Sequence, residues 1–292
     1  MSLIQQLING LAQGSVYALI AIGYTMVYGI IKLINFAHAD IYMIGAFIGY
    51  YAVTVFHVPF LPALLIAMVG CALLGVVIEK IAYKPLRKSP RIVLLITAMA
   101  MSLILEHGMA TVVVGPNPRP FPELFKISII HIGSVQINNV QIINLTVAII
   151  LVLILQFIVY KTNTGKAMRA TSYDMEAAQL MGININNIVS ITFAIGSALA
   201  GAAGVLVGMM YPRIDPYMGM MPGLKAFIAA VLGGIGVLPG AMFGGIFIGL
   251  CETLTKAYIS TKLSDAIVFS LLIIILIFKP AGLLGKLTKE KV

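Results

Sequence analysis

The chain of 292 residues is 60% hydrophobic and 10% charged, with a mean hydropathy of +1.04, against about 45 to 50% apolar and about 25% charged in an ordinary soluble domain. No water-soluble fold hides that much apolar surface, and at roughly 20 residues per crossing there is room for about ten spans and no separate soluble domain. The net charge of +9 sits in loops between apolar runs, which argues against nucleic acid as its partner.

In chain order, apolar runs predict spans over 8–31, 40–56, 60–83, 92–114, 142–160 and 188–211. The first run has no positively charged segment before it and leads into further spans, so it reads as a retained helix rather than a signal peptide. The stretch 223–257 is too long for one helix and is broken at Val231–Gly240, giving two segments or one span plus a re-entrant piece. A last span covers 264–278. The expected fold is an all-α transmembrane bundle of eight or nine segments, with a re-entrant segment as the alternative to a full crossing, in a single transmembrane domain over 1–292.

Loops 84–91, 161–187 and 279–292 carry eleven Lys and Arg, and loops 115–141, 212–222 and 256–265 carry five. The eleven are expected on the cytoplasmic side. The external loop 115–141 opens with GPNPRPFPE, whose prolines favour extended chain, and continues as HIGSVQINNVQI, which suits a short strand pair, a docking surface or an ordinary exposed loop. Cys71 and Cys251 lie in apolar runs and read as small buried residues rather than a disulfide or metal framework. GxxxG spacings at Gly10/Gly14, Gly45/Gly49, Gly204/Gly208, Gly240/Gly244 and Gly245/Gly249 predict close helix packing, within the chain or against a second one.

Three interruptions of the apolar pattern carry the functional argument. The first, Asn35–Asp40 (NFAHAD), is placed by the span limits at the cytoplasmic ends of two helices. It is either a corner lining the pathway, with Asn35, Phe36 and His38 as candidates, or a turn in which Asn35 and Asp40 cap helices. The second is the polar island 164–184, where Thr162 or Thr164 can start a helix, Gly182 and Asn184 can end it, and no proline interrupts Lys166–Met181. On one helix Lys166, Arg169, Tyr173 and Glu176 share a stripe, with Ala167, Ala170, Ala178 and Met181 beside it, a surface suited either to docking or to solvent. The third, Gly233–Gly240 (GGIGVLPG), puts flexible backbone at Gly233, Gly234 and Gly236 next to Pro239, for a gate or pathway element or a tight turn. Of the remaining polar groups in apolar runs, Glu252 and Lys256 can bridge at i,i+4, and the pair Glu106 and His107 has no evident role.

The segment GKAMRATSYDMEAAQLMGIN, together with Gly14–Phe47, Tyr83–Pro90, Ala198–Gly208 and Val231–Glu252, resembles the permease subunits of branched-chain amino acid ABC importers in five blocks in the same order. The resemblance implies a multi-pass protein of the bacterial inner membrane that imports leucine, isoleucine, valine or similar amino acids by alternating access. Permeases for other amino acids or for urea look alike. It further implies that Gly165, Arg169, Ala170, Ala177 and Gly182, with Lys166, Tyr173, Asp174 and Glu176 in the same segment, form the helix that docks into an ATPase subunit. The implied partners are a second, homologous permease, two ATPases that bind the ATP and magnesium, and a periplasmic substrate-binding protein. No cofactor or metal is expected in the chain itself, which has no GxxxxGK[ST] phosphate loop, no HExxH and no Cys/His cluster. An ion-coupled transporter would keep charges in mid-span, where most spans here are bare.

Overall fold

A computed structural model describes residues 2–87, 89–126, 128–132, 135–211 and 213–285. The basic residues Lys88, Lys286, Lys289 and Lys291 of the charge count lie outside the described residues. The bundle comprises α1 (Leu3–Ile31), α2 (His38–Thr54), α3 (Phe60–Ile78), α4 (Arg91–Gly108), α5 (Asn139–Lys161), α6 (Asn163–Tyr173), α7 (Met175–Leu180), α8 (Ile185–Met210), α9 (Met220–Gly233), α10 (Leu238–Tyr258) and α11 (Ser264–Phe278). Five-residue π turns extend α3 over Glu79–Tyr83 and α4 over Met109–Val113. Among the described residues, six helices are long and apolar enough to cross a membrane, namely α1, α3, α4, α5, α8 and α10.

Small residues set the packing. A β-carbon on Gly14 would stand 2.7 Å from Ile246 Cα and one on Gly10 would stand 2.9 Å from Leu250 Cα, so α1 and α10 cross with their backbones in contact. Gly45 of α2 abuts Gly201 of α8 in the same way, and Gly204 abuts Tyr42 and Ala46. The GxxxG notches therefore serve packing within this chain. α1 is the central helix, buried from Gly14 to Val27 without a break. On α3, Ala63, Ala67, Cys71, Gly75 and Ile78 face inward, while Leu61, Leu65, Val69 and Leu73 are exposed. Such rows of exposed leucine and valine are unstable in water and suit lipid tails.

Contacts along the helices fix their directions. α1 and α10 run antiparallel, and α2 and α8 run parallel. One end of the bundle gathers the C-terminus of α1, the α3–α4 turn with Lys84 and Arg87, the helices α6 and α7, and the α9–α10 turn. We call it the basic end. The segment after α11 returns there, with Leu283 N–H and Leu284 N–H donating to Leu232 and Gly233 carbonyls at 2.8 and 3.1 Å.

The opposite end carries two small antiparallel pairs: β2 (Ile129–Ile132) on β3 (Val135–Asn138), and β1 (Arg119–Pro120) on β4 (Arg213–Ile214). Of the readings open to HIGSVQINNVQI, a strand pair forms, with Gly133 and Ser134 outside the described residues. α9 is a half-length helix. A β-carbon on Gly219, its N-cap, would lie 2.6 Å from Ala39 O, so α9 starts beside the buried beginning of α2 rather than at the bundle's end.

Candidate functional site

The polar island folds as two helices, not the single one of about four turns expected from the absence of proline. Asp174 breaks it with extended backbone (φ −150°, ψ 111°), because its carboxylate accepts from Ala177 N–H at 2.9 Å and so starts a new helix. The break takes Glu176 off the stripe of Lys166, Arg169 and Tyr173. At the start of α6, Thr162 accepts from Gly165 N–H at 3.1 Å. At the end of α7, Gly182 adopts φ +84°, and the N–H groups of Gly182 and Ile183 return to the carbonyls of Gln179 and Ala178. That is a Schellman closure, which favours glycine at this position. Asn184 caps the next helix, accepting from Asn187 N–H at 3.2 Å, rather than ending this one.

Within the pair, Gly165, Met168, Thr171 and Ala178 turn inward. Gly165 lies against the carbonyls of Ile158 and Val159, where no side chain fits. Arg169 donates to Val159 O and stacks over the Tyr160 ring at 5.5 Å, so it fastens α6 to the end of α5. Lys166, Ala170, Tyr173, Asp174, Glu176 and Ala177 face outward. The largest exposed apolar groups are Tyr173, Leu180 and Met181. Met181, placed beside the stripe with Ala167, Ala170 and Ala178, is exposed and follows the last turn of α7.

The third interruption meets the second here. A cleft of about 70 Å³ is lined by Gly29 and Ile30 of α1, by Met168, Arg169 and Ser172 of α6, and by Gly236 and Leu238. Gly236 (φ +94°) also touches Gly29. Gly233 is pressed on Gly240 O and Gly234 on Gly285, and Pro239 occupies the first turn of α10. The block is a close-packed turn whose one outward residue, Gly236, adjoins α6.

The first interruption is deeper than the span limits placed it. His38 is buried against Gly23 and packs edge-on to Tyr24 at 4.9 Å, about 10 Å above the end of α1 at 1.5 Å per residue. The expected capping by Asn35 and Asp40 is not found. Ala37 precedes α2 with no side-chain cap, Asn35 accepts from Tyr83 Oη at 2.7 Å, and Asp40 accepts from Ser102 Oγ at 2.5 Å. The short polar side chains are buried and take hydrogen-bond partners on neighbouring helices. Phe36 packs on Phe227 at 6.1 Å and lines a cavity with Asp40, Ser102 and Glu106.

The family of branched-chain amino acid transport system permease components matches residues 6–276. The chain belongs to it. It is 42% identical to the high-affinity branched-chain amino acid transport system permease protein LivH of Salmonella typhimurium, over 99% of this chain and 97% of that one. Identity to the corresponding protein BraD of Pseudomonas aeruginosa is 41%, over 99% and 98%. A probable branched-chain amino acid transport permease of Methanocaldococcus jannaschii is 28% identical, over 91% and 88%. No solved structure matches. The family and the run of apolar helices make this permease a multi-pass protein of the inner membrane.

Sequence reasoning missed a buried ionic cluster in this permease. Glu252 is bound by Lys225 at 2.8 Å, Lys256 at 2.5 Å and Tyr17 Oη at 2.7 Å, and Lys225 also meets Asp265 at 2.7 Å. The i,i+4 pair with Lys256 was legible. Tyr17, 235 residues away, carried no signal.

Proposed function

We propose that this permease is the translocating subunit of an ATP-driven importer for leucine, isoleucine, valine or a similar amino acid. It works with a second, homologous permease, two ATPase subunits that bind ATP and magnesium against its basic end, and a substrate-binding protein at the opposite end. ATP hydrolysis belongs to the partners, since this sequence has no phosphate loop. The observation that carries the reading is the α6–α7 pair. It is capped at both ends, shows Tyr173, Leu180 and Met181 outward, and is tied inward to α5 through Arg169 and to α1 through Met168.

A rigid element with an apolar tip outside and a fastened root inside is what a mechanical stroke requires. Motion of a docked ATPase would reach the ends of α5 and α1 and the Gly236 turn together, because the cleft joins them. Aspartate at both Tyr173 and Leu180, which are exposed and leave the fold intact, is expected to lower ATPase co-purification by at least tenfold and to stop leucine uptake in proteoliposomes. Undiminished co-purification and uptake would reject the docking assignment. Uptake by the unaltered assembly across leucine, isoleucine, valine, polar amino acids and urea tests the substrate range.

A further inference from the structure

Glu106, which the sequence left without a role, stands with Asp40 on a cavity of about 310 Å³ between α2, α4 and α9. That volume is near the lower bound of ligand pockets, about 300–1,000 Å³. The wall is mostly apolar, formed by Phe36, Met99, Leu103, Met220 and Leu224. Asp40 is 3% exposed and accepts from the Ser102 hydroxyl at 2.5 Å. Glu106, half-buried, lines the same cavity. Among the described residues, no Lys or Arg pairs with either carboxylate.

Asp40 contrasts with the other buried acids. Glu79 is answered by Arg87 and Ser190, and Glu252 by two lysines and a tyrosine. Asp40, a buried carboxyl on an apolar wall with no cation of the chain's own among the described residues, either holds a proton or is answered by a cation from outside, and the half-buried Glu106 adds a second acidic group to the same cavity. A lipid tail would satisfy the wall and leave the acids unanswered. An ammonium group carried on an aliphatic side chain satisfies both.

We propose that this cavity is an intramembrane binding site for an aliphatic amino acid, with the ammonium on Asp40 and Glu106 and the side chain against Met99, Leu103 and Leu224. The proposal rests on the reading of the chain as an amino-acid permease. Phe36 and Tyr24 close the inner wall, and the exposed faces of Met99, Leu103 and Met220 leave the outer side open, where a second permease subunit would complete it.

The test uses the complete assembly in proteoliposomes with its binding protein and ATP, reading uptake of labelled leucine and labelled alanine. Uptake of leucine, isoleucine or valine by the unaltered assembly tests the functional reading alone, and the absence of all three overturns that reading and this one together. Leu103→Trp, a change at an exposed position, is expected to lower the leucine-to-alanine uptake ratio at least tenfold by filling the side-chain space. Leu103→Ala is expected to raise uptake of labelled phenylalanine relative to leucine. Glu106→Gln is expected to reduce leucine uptake at least tenfold, with Glu106→Asp recovering most of it. If the unaltered assembly imports leucine while these variants keep its uptake and its ratios, the cavity is a lipid or packing groove and the proposal is overturned. Equal loss of both substrates in both Leu103 variants, with the assembly intact, overturns it as well.

Discussion

At Glu252 a 1% exposed carboxylate gathers Lys225, Lys256 and Tyr17, and the cluster ties α1, α9, α10 and α11 together within the bundle. Its value lies less in net stability than in what removal of one member leaves behind. Breaking a buried ion pair from one side costs about 3–5 kcal/mol, because the surviving charge is stranded, whereas replacing the whole pair by apolar groups is often neutral. Lys225 retains Asp265, whose side chain is 44% exposed, so Glu252→Leu should fall near the lower end of that range. The expected result is a clear drop in the melting temperature of the detergent-solubilised protein. The double variant Lys225→Met with Glu252→Leu should recover most of it. If the double variant melts as low as the single one, lost packing rather than stranded charge governs this site. Tyr17 belongs to the same balance, as its hydroxyl donates to the carboxylate at 2.7 Å and a hydrogen bond to a charged group contributes about 1.5–3 kcal/mol.

Among the elements, the α6–α7 pair shows what a sequence discloses and what it withholds. The ends of the polar island were legible because capping is local: Thr162 answers Gly165, and Gly182 takes the left-handed turn that other residues adopt at a cost of about 1–2 kcal/mol. The break at Asp174 was not, since an aspartate inside a helical pattern serves equally as a helix residue or as a new cap until its neighbours are placed. The spans were legible for the same reason as the caps, a run of apolar residues being a local signal, and the expected segment 264–278 coincides with α11. Depth was not legible. Asn35–Asp40 lies inside the bundle because α1 and α9 offer it Gly23, Gly219 and Gly223 to pack against, and no short-range pattern records that. The acids were visible as residue types, but the lack of a cation for Asp40 and Glu106 is a fact about distant partners. Asp174→Ala removes the cap of α7 at a cost of about 1 kcal/mol, so amide exchange over Ala177–Gly182 should quicken about fivefold while α5 and α8 keep their protection. Unchanged exchange in that window would show that tertiary contacts at Ala178, not the cap, hold the short helix.

For the whole molecule, sidedness decides how these parts work together, and it follows from charge and chain direction jointly. Lysine and arginine gather at one end, and short basic loops stay on the cytoplasmic side. α1 begins at the opposite end, the chain traverses the bundle repeatedly, and the segment after α11 returns to the basic end beside Gly233 and Gly234. The N-terminus, the β2–β3 pair and its contact from Gln136 N–H to Gln5 at 2.7 Å should then face outward, and α6–α7 inward. The two ends differ in build accordingly: the outer one is closed by short strand pairs, and the inner one by capped helices. A single cysteine at Gln136 or at Tyr173, both exposed, reports each side in a background with Cys251 replaced by serine, Cys71 being buried. An impermeant maleimide should label position 136 in intact cells and position 173 only in inverted vesicles. The reverse pattern would put α6–α7 outside, where no ATPase can reach it, and would reject the coupling proposal while leaving the fold untouched. Because the cavity at Asp40 lies between the two ends, correct sidedness would also set the order in which a substrate meets them: strand-capped outer face, acidic cavity, then the basic end where α6 and α1 share a cleft.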